Sequence, residues 1–240
     1  MHKTVELAQK KGNPDDEDTF LDIYDDWDGI NTVTSLPDFA PHRTVDKIVI
    51  AASHGALKTA IVCPPCIYGP GRGPGNQRSI QLPTLASMTL SEKHGVKVRS
   101  GKVYWSNVHV QDLSRVFLRL VEYAATGDEG PTWGPQGYYF AENGERMWGD
   151  VAQLVANDAA KQGLIDNNEV QSVSNEEIEK LFPFGSILWG GNSRSRAIRA
   201  RKLLGWEPIE RSLEDEIQHT VKIEADRQGL IQGHAAVAAG

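Results

Sequence analysis

The chain has few cysteines, no excess of basic charge and no long apolar run, and each shortage excludes a class of protein. Two cysteines in 240 residues cannot build a disulfide framework. No stretch of about 18 apolar residues occurs, so no membrane-spanning helix is expected. The start of the chain, Met1-His2-Lys3-Thr4-Val5-Glu6, lacks the apolar centre of a signal peptide. A cytoplasmic protein is therefore the default expectation. Lys and Arg number 25 against 32 Asp and Glu, a net charge of −7. Residues 1–41 hold three Lys, no Arg and ten acidic residues, so the whole excess sits there. Residues 42–240 are balanced. A balanced body argues against a nucleic-acid binder, which needs a basic face to release counterions.

What is present is an ordinary globular composition, 40% hydrophobic and 24% charged, in a chain long enough for one large domain or two small ones. Residues 1–41 read as an acidic lead-in, with runs at Asp15-Asp16-Glu17-Asp18 and Tyr24-Asp25-Asp26-Trp27-Asp28 that suit a solvated loop. A metal role for Asp25, Asp26 and Asp28 lacks the Gly and Glu spacing of a calcium loop. Thr44–Ser53 places Val45, Ile48 and Val49 at helical spacing. Lys58–Cys63 suits a buried parallel strand. After it come Cys63-Pro64-Pro65-Cys66 and the glycine-rich Gly69–Gly75. Ser79–Lys93 reads as a helix interrupted near Pro83. Lys97–Val110 is extended. Val110–Ala125 is an amphipathic helix with Leu113, Val116, Phe117, Leu120 and Val121 on its apolar face. Gly137–Ala141 is a strand candidate, and Trp148–Lys161, Asn175–Leu181, Ser193–Leu204 and Leu213–Arg227 read as helices. Residues 230–240 are expected to form a flexible tail, whose end, Ala235–Gly240, is small and apolar and suits a frayed terminus. Short strands alternating with amphipathic helices indicate an α/β protein.

Each candidate constellation has a structural and a functional reading. Cys63 and Cys66 form a C-x-x-C, but Cys63 ends a strand instead of opening a helix, and no second pair exists for a closed zinc site. That favours a structural role. His42 and Asp46 stand four apart at a helix start, either as an acid/base pair or as an N-terminal surface pair. Asn107 and His109 precede a helix whose Asp112 suits capping or dipole matching; His109 reads first as a satisfied structural histidine. Arg194, Arg196 and Arg199 could meet an anion, although a basic helix stopping at Gly205 is ordinary C-terminal chemistry. No G-x-G-x-x-G follows any predicted strand. The prolines of Gly69–Gly75 remove amide donors, so that loop is not read as a phosphate cradle.

Three segments, in order, resemble the extended short-chain dehydrogenase/reductase family, the NAD-dependent epimerase/dehydratases. Ala60–Gly71 (AIVCPPCIYGPG) is similar to the family's strand ending in Arg-Pro and a Tyr-Gly-Pro turn. Ser106–Phe117 (SNVHVQDLSRVF) is similar to its hydrophobic-x-V-x-D entry to a helix. Ser195–Pro208 (SRAIRARKLLGWEP) is similar to its closing K-A-x-x-x-L-G-W-x-P. The resemblance covers roughly residues 40–225 and the family's C-terminal half. It implies a partial Rossmann-like parallel sheet over residues 42–145, without the N-terminal nucleotide-binding half, and a mostly helical substrate-type region over 146–229. It implies NAD or NADP as cofactor and hydride transfer at a carbonyl or alcohol carbon of a small metabolite or sugar nucleotide. It places His42 and Asp46 where the family has its catalytic Tyr-x-x-x-Lys, Pro64, Cys66, Ile67 and Tyr68 near the nicotinamide, and Asn107 and His109 near substrate. Lys47 falls one position late, and Cys63 replaces the strand-end arginine. With no Gly-rich turn, binding of NAD(P) by this chain is expected to be impaired. Two alternatives stay open: a non-catalytic binding or assembly protein, dimeric through the helix at 43–54, and a cofactor-independent isomerase or lyase using His42.

Overall fold

The computed structural model describes residues 22–231; the acidic run at 15–18 and the end of the tail lie outside them. In chain order the elements are β1 (Ile23–Asp25), α1 (Ile30–Thr34), α2 (Arg43–Ala51), β2 (Ile61–Cys63), β3 (Cys66–Tyr68), α3 (Gln81–Glu92), β4 (Gly95–Val98) and β5 (Tyr104–His109). There follow α4 (Val110–Thr126), β6 (Tyr138–Phe140), β7 (Glu145–Met147), α5 (Trp148–Lys161), β8 (Val170–Val173), α6 (Asn175–Leu181), α7 (Gly185–Leu188), β9 (Arg194–Arg196), α8 (Ile198–Leu204) and α9 (Leu213–Arg227). The result is a mixed α/β chain with small parallel sheets. Strand β1 runs parallel to β9, β2 to β6 and β4 to β8, and a further sheet has the order β3–β5–β7.

The chain builds two compact units by passing between them. The first takes the described residues up to Ile67, then Tyr104–Glu145 and Gly191–Glu210. The second takes Tyr68–Val103, Arg146–Gly190 and the residues from Arg211 onward. The first unit's core joins Ile30 and Val33 of α1, Leu113, Val116 and Leu120 of α4, the whole of β6, and Leu204 and Trp206. Each large side chain fully buried in this way contributes roughly 1.5–3 kcal/mol before entropy is counted. The second unit packs α9 against α3 and α5, burying Leu82, Leu85, Val151, Val155, Ile217 and Val221.

Helix ends follow local chemistry. Ser174 and Ser212 each cap a helix with a reciprocal box, through Glu177 and Asp215. Helix α4 stops at Gly127, which is left-handed at φ 74°, a conformation open to glycine without a Cβ clash.

Four expectations are corrected. Pro83 does not interrupt α3: it lies in the first turn, where a missing N–H costs nothing. Ser193–Leu204 is not one helix, since Arg194–Arg196 form β9 before α8 begins. On α4, Leu113, Val116 and Leu120 are buried but Phe117 and Val121 are exposed, so the apolar stripe is wider than the face it buries. Finally, residues 22–34 are not a solvated loop. They supply β1 and α1, and Asp26 has no exposure at all.

Asp26 explains why an acidic stretch folds. Its Oδ1 accepts from the amides of Ile198 and Arg199, both at 2.8 Å, and its Oδ2 from the amide of Phe140 at 2.7 Å. The first two amides open α8, whose partial positive end suits an anion. The Asp26 carbonyl accepts from Arg199 Nε at 2.9 Å. Trp27 lies under both Arg199 and Lys202. Asp25 turns the chain by accepting the amides of Trp27 and Gly29. The charge that looked like a hydrated run is thus a tether between β6, α8 and the segment before α1.

Candidate functional site

The segments that carry the family resemblance within the first unit are the start of α2, the turn between β2 and β3, and the end of β5. His42 sits outside the helical run as the N-cap of α2, in the left-handed region at φ 63°, and its side chain is exposed. Asp46, one turn in, is buried, and its amide bonds the His42 carbonyl at 2.9 Å. The two are one turn apart in sequence but differ in environment, an imidazole in solvent and a carboxylate inside. Lys47 points outward and pairs with Asp38 at the surface.

Between β2 and β3, Pro64 and Ile67 are half-buried, whereas Cys66 and Tyr68 are buried. Burial pushes the Cys66 thiol up to about 12, so it stays protonated and unreactive at neutral pH. Both cysteines are free thiols. The Tyr68 hydroxyl donates to the Arg211 carbonyl at 2.8 Å.

At the end of β5, Asn107 is buried with its amide and carbonyl paired to Gly144 and Asn143. His109 is buried and caps α4: its Nδ1 accepts from the Gln111 amide at 3.1 Å. That nitrogen is therefore unprotonated, and the cap accounts for the residue. Asp112 has no exposure and accepts from the amides of Ile209 and Glu210 and from Arg115. Its carbonyl accepts from the indole of Trp206 at 2.9 Å. This joins the second and third resembling segments physically. The basic run is likewise accounted for. Arg194 forms a two-point pair with Glu145, at 2.9 and 2.6 Å, and Arg196 shares the same carboxylate. Arg199 serves Asp26 and Thr132. These three do not offer an open anion site.

Sequence reasoning missed Tyr138. Its ring closes a small cavity with Tyr24, Val33, Cys63, Pro64 and Phe140. The cavity measures about 20 Å³, which is space for a water and not for a metabolite. Burial and the adjoining Cys63 thiol, which also hydrogen-bonds it, push the Tyr138 phenol well above its ordinary 10. Arg43 opposes the shift from nearby; its Nε and Nη1 are buried and find no hydrogen-bond partner among the described residues. A phenol so raised is a donor at neutral pH and not a base. No periodicity marks Tyr138 in the sequence, because Tyr138-Tyr139-Phe140 is simply an apolar strand.

A dinucleotide needs more than these groups supply. Its pyrophosphate needs amides at a glycine-rich turn that opens a helix. The Gly69–Gly75 stretch reaches no helix until Gln81, the Gly71 amide is taken by the Gln77 carbonyl at 2.9 Å, and Pro70 and Pro74 carry no N–H. Two of the four side chains expected near the nicotinamide, Cys66 and Tyr68, are buried. The described residues do not fit the group.

Residues 40–133 match the model of the NAD dependent epimerase/dehydratase family. An oxidase, ucsJ of an Acremonium species, is 35% identical over 218 residues, which is 87% of this chain and 63% of that protein. Among solved structures, the dTDP-glucose 4,6-dehydratase DesIV of Streptomyces venezuelae, with NAD and TYD bound, gives a TM-score of 0.57 at 16% identity, over 88% of this chain and 57% of that one. UDP-glucose 4-epimerase of Thermotoga maritima gives 0.53 at 16% identity, over 80% and 55%. The chain thus spans less than two thirds of the length of each. Over residues 40–133 the chain is thus similar to the NAD dependent epimerase/dehydratase family, the one that its sequence resembles, and its fold is similar to that of the solved dehydratase and epimerase.

Proposed function

We propose that the chain derives from an NAD(P)-dependent epimerase/dehydratase acting on the carbonyl or alcohol of a small metabolite or sugar nucleotide, and that residues 1–240 alone are impaired in it. The family match over residues 40–133 supports the first part. The single observation that supports the second is the α2 entry, where His42 is exposed and Asp46 buried; by the sequence resemblance we assign these two to the positions of the family's Tyr and Lys. A lysine there lowers the pKa of its tyrosine. A carboxylate favours the protonated form of a neighbouring acid instead. Titration calorimetry of the 1–240 chain with NAD and NADP tests the reading. Weak binding or none is expected, and a Kd in the low micromolar range contradicts it.

A second reading, as an assembly partner, has its own support. Val45 is 56% exposed and Ile48 is 70% exposed on α2, so the helix presents apolar side chains that its own unit leaves uncovered. A homodimer would cover them. Light scattering should show a dimer at high concentration that Ile48→Glu reduces to monomer; a wild-type monomer at that concentration removes this reading.

A further inference from the structure

The second unit contains a cavity of about 140 Å³ between the Gly69–Ser79 loop, the start of α3 and one face of α9. Along α9, Glu216, Thr220, Ile223 and Glu224 recur at the spacing that stacks side chains on one face. The charged groups of the wall cancel, Arg78 and Arg227 standing against Glu216 and Glu224. Glu224 is held at both oxygens by Arg78, through Nε at 2.8 Å and Nη2 at 3.1 Å, with Arg227 further off at 3.9 Å. Other polar groups of the wall are not committed in this way. The Glu216 carboxylate and the hydroxyls of Ser79 and Thr220 make no hydrogen bond among the described residues. None of them is a sealed, unpartnered atom, so each is accessible to water. Pro70, Pro83 and Ile223 supply apolar surface beside them.

The make-up of this wall selects the ligand by elimination. A simple cation or anion gains little from a wall whose charges already cancel, and it loses hydration on entry. An apolar molecule strips water from Glu216, Ser79 and Thr220 without replacing its hydrogen bonds. An uncharged molecule with several hydroxyls escapes both costs, because each hydroxyl donates one hydrogen bond and accepts others. Space of about 140 Å³ holds about ten waters at roughly 10–15 Å³ for each, the bulk of one polyol ring and less than that of a nucleotide. The geometry points to a binding site for a small uncharged cyclic polyol. Its hydroxyls donate to the Glu216 carboxylate, as charge-assisted bonds, and exchange bonds with Ser79 and Thr220. Its C–H face lies against Pro70, Pro83 and Ile223. This site is independent of nucleotide binding and of the reading of α2.

The test compares rings of one size that differ in their hydroxyls. The uniformly labelled 1–240 chain is titrated with myo-inositol, with cyclohexanol, with n-propylammonium chloride and with sodium acetate, while amide shifts are followed. Saturable shifts centred on residues 77–82 and 216–224 are expected with myo-inositol, with affinity at least about tenfold weaker for cyclohexanol and for both salts. In Thr220→Val, which keeps the shape and removes a hydroxyl, the affinity for myo-inositol should fall about fivefold or more while the rest of the spectrum is kept. An equal or stronger response to cyclohexanol, an equal or stronger response to either salt, an unchanged affinity in Thr220→Val, or no saturable local response to myo-inositol (a cavity holding water only) overturns the proposal. The wild-type comparison decides the matter even if the variant fails to fold.

Discussion

Two buried carboxylates, one in each unit, show how the same chemical group can serve opposite ends. Asp26 in the first unit is wholly enclosed and holds three backbone amides from two distant parts of the chain. Glu216 in the second is 5% exposed, lines a cavity and holds none among the described residues. A buried charge that is fully hydrogen-bonded fixes a fold; one that only lines a water-accessible cavity ties nothing together. The first unit follows the Asp26 pattern almost throughout. Asp112, Glu145, Arg194 and Arg199 all end on partners within it. In that economy Arg194 and Arg196 both end on Glu145, and the His109 Nδ1 is taken by the Gln111 amide.

The largest expected effect is at Asp26. Asp26→Asn places an amide group against one of the donors it now accepts, and Asp26→Ala leaves all three unpaired. Stability in urea should fall by about 2 kcal/mol for the first and about 3–5 kcal/mol for the second. An unchanged midpoint for both would show that the segment before α1 is not tethered.

A smaller effect concerns pH. Hydrogen bonds from Arg194 lower the Glu145 carboxyl from its ordinary 4.5 to about 2. A depressed folded-state pKa means stability present above about 4.5 and lost as pH falls from there to about 2. Asp26 has the opposite sign. Burial raises its pKa above the ordinary 3.8 despite its three amides, so its contribution declines as pH climbs from 3.8 through the raised value. Glu145→Gln should flatten the acid loss of stability, seen as a smaller drop in Tm between pH 4.5 and pH 3. A wild-type slope retained in the variant would mean that the carboxylate gains nothing from Arg194 and Arg196.

The smallest effect, and the one of reversed sign, is at Glu216. Its carboxylate lines a cavity and makes no hydrogen bond among the described residues, so its neutral isostere removes none, and Glu216→Gln should leave stability unchanged or raise it by up to about 0.5 kcal/mol.

The contrast also marks what the sequence could show. Helices with strong periodicity or cap signals, such as Trp148–Lys161, Asn175–Leu181 and Leu213–Arg227, form at the bounds expected of them, because those signals are local. The parallel strand ending at Cys63 was legible from its apolar run. The role of Asp26 was not, since its partners lie 114 and 172–173 residues away and like-charge runs are usually hydrated. Arg194–Arg196 misled for a related reason: helix propensity is a local quantity, whereas pairing with β1 is not. Of the candidate residues, the α2 entry and the Pro64–Tyr68 turn were assigned through resemblance. Tyr138 and Glu216 were hidden because an apolar strand and an acidic helix face carry no mark of what encloses them.

The most direct measurement is a side-by-side urea titration of the wild-type chain, Asp26→Asn and Glu216→Gln. The account predicts a lower midpoint for Asp26→Asn and a midpoint equal to or above wild type for Glu216→Gln. Equal destabilisation by the two would contradict it, since Glu216 would then be a structural tether like Asp26.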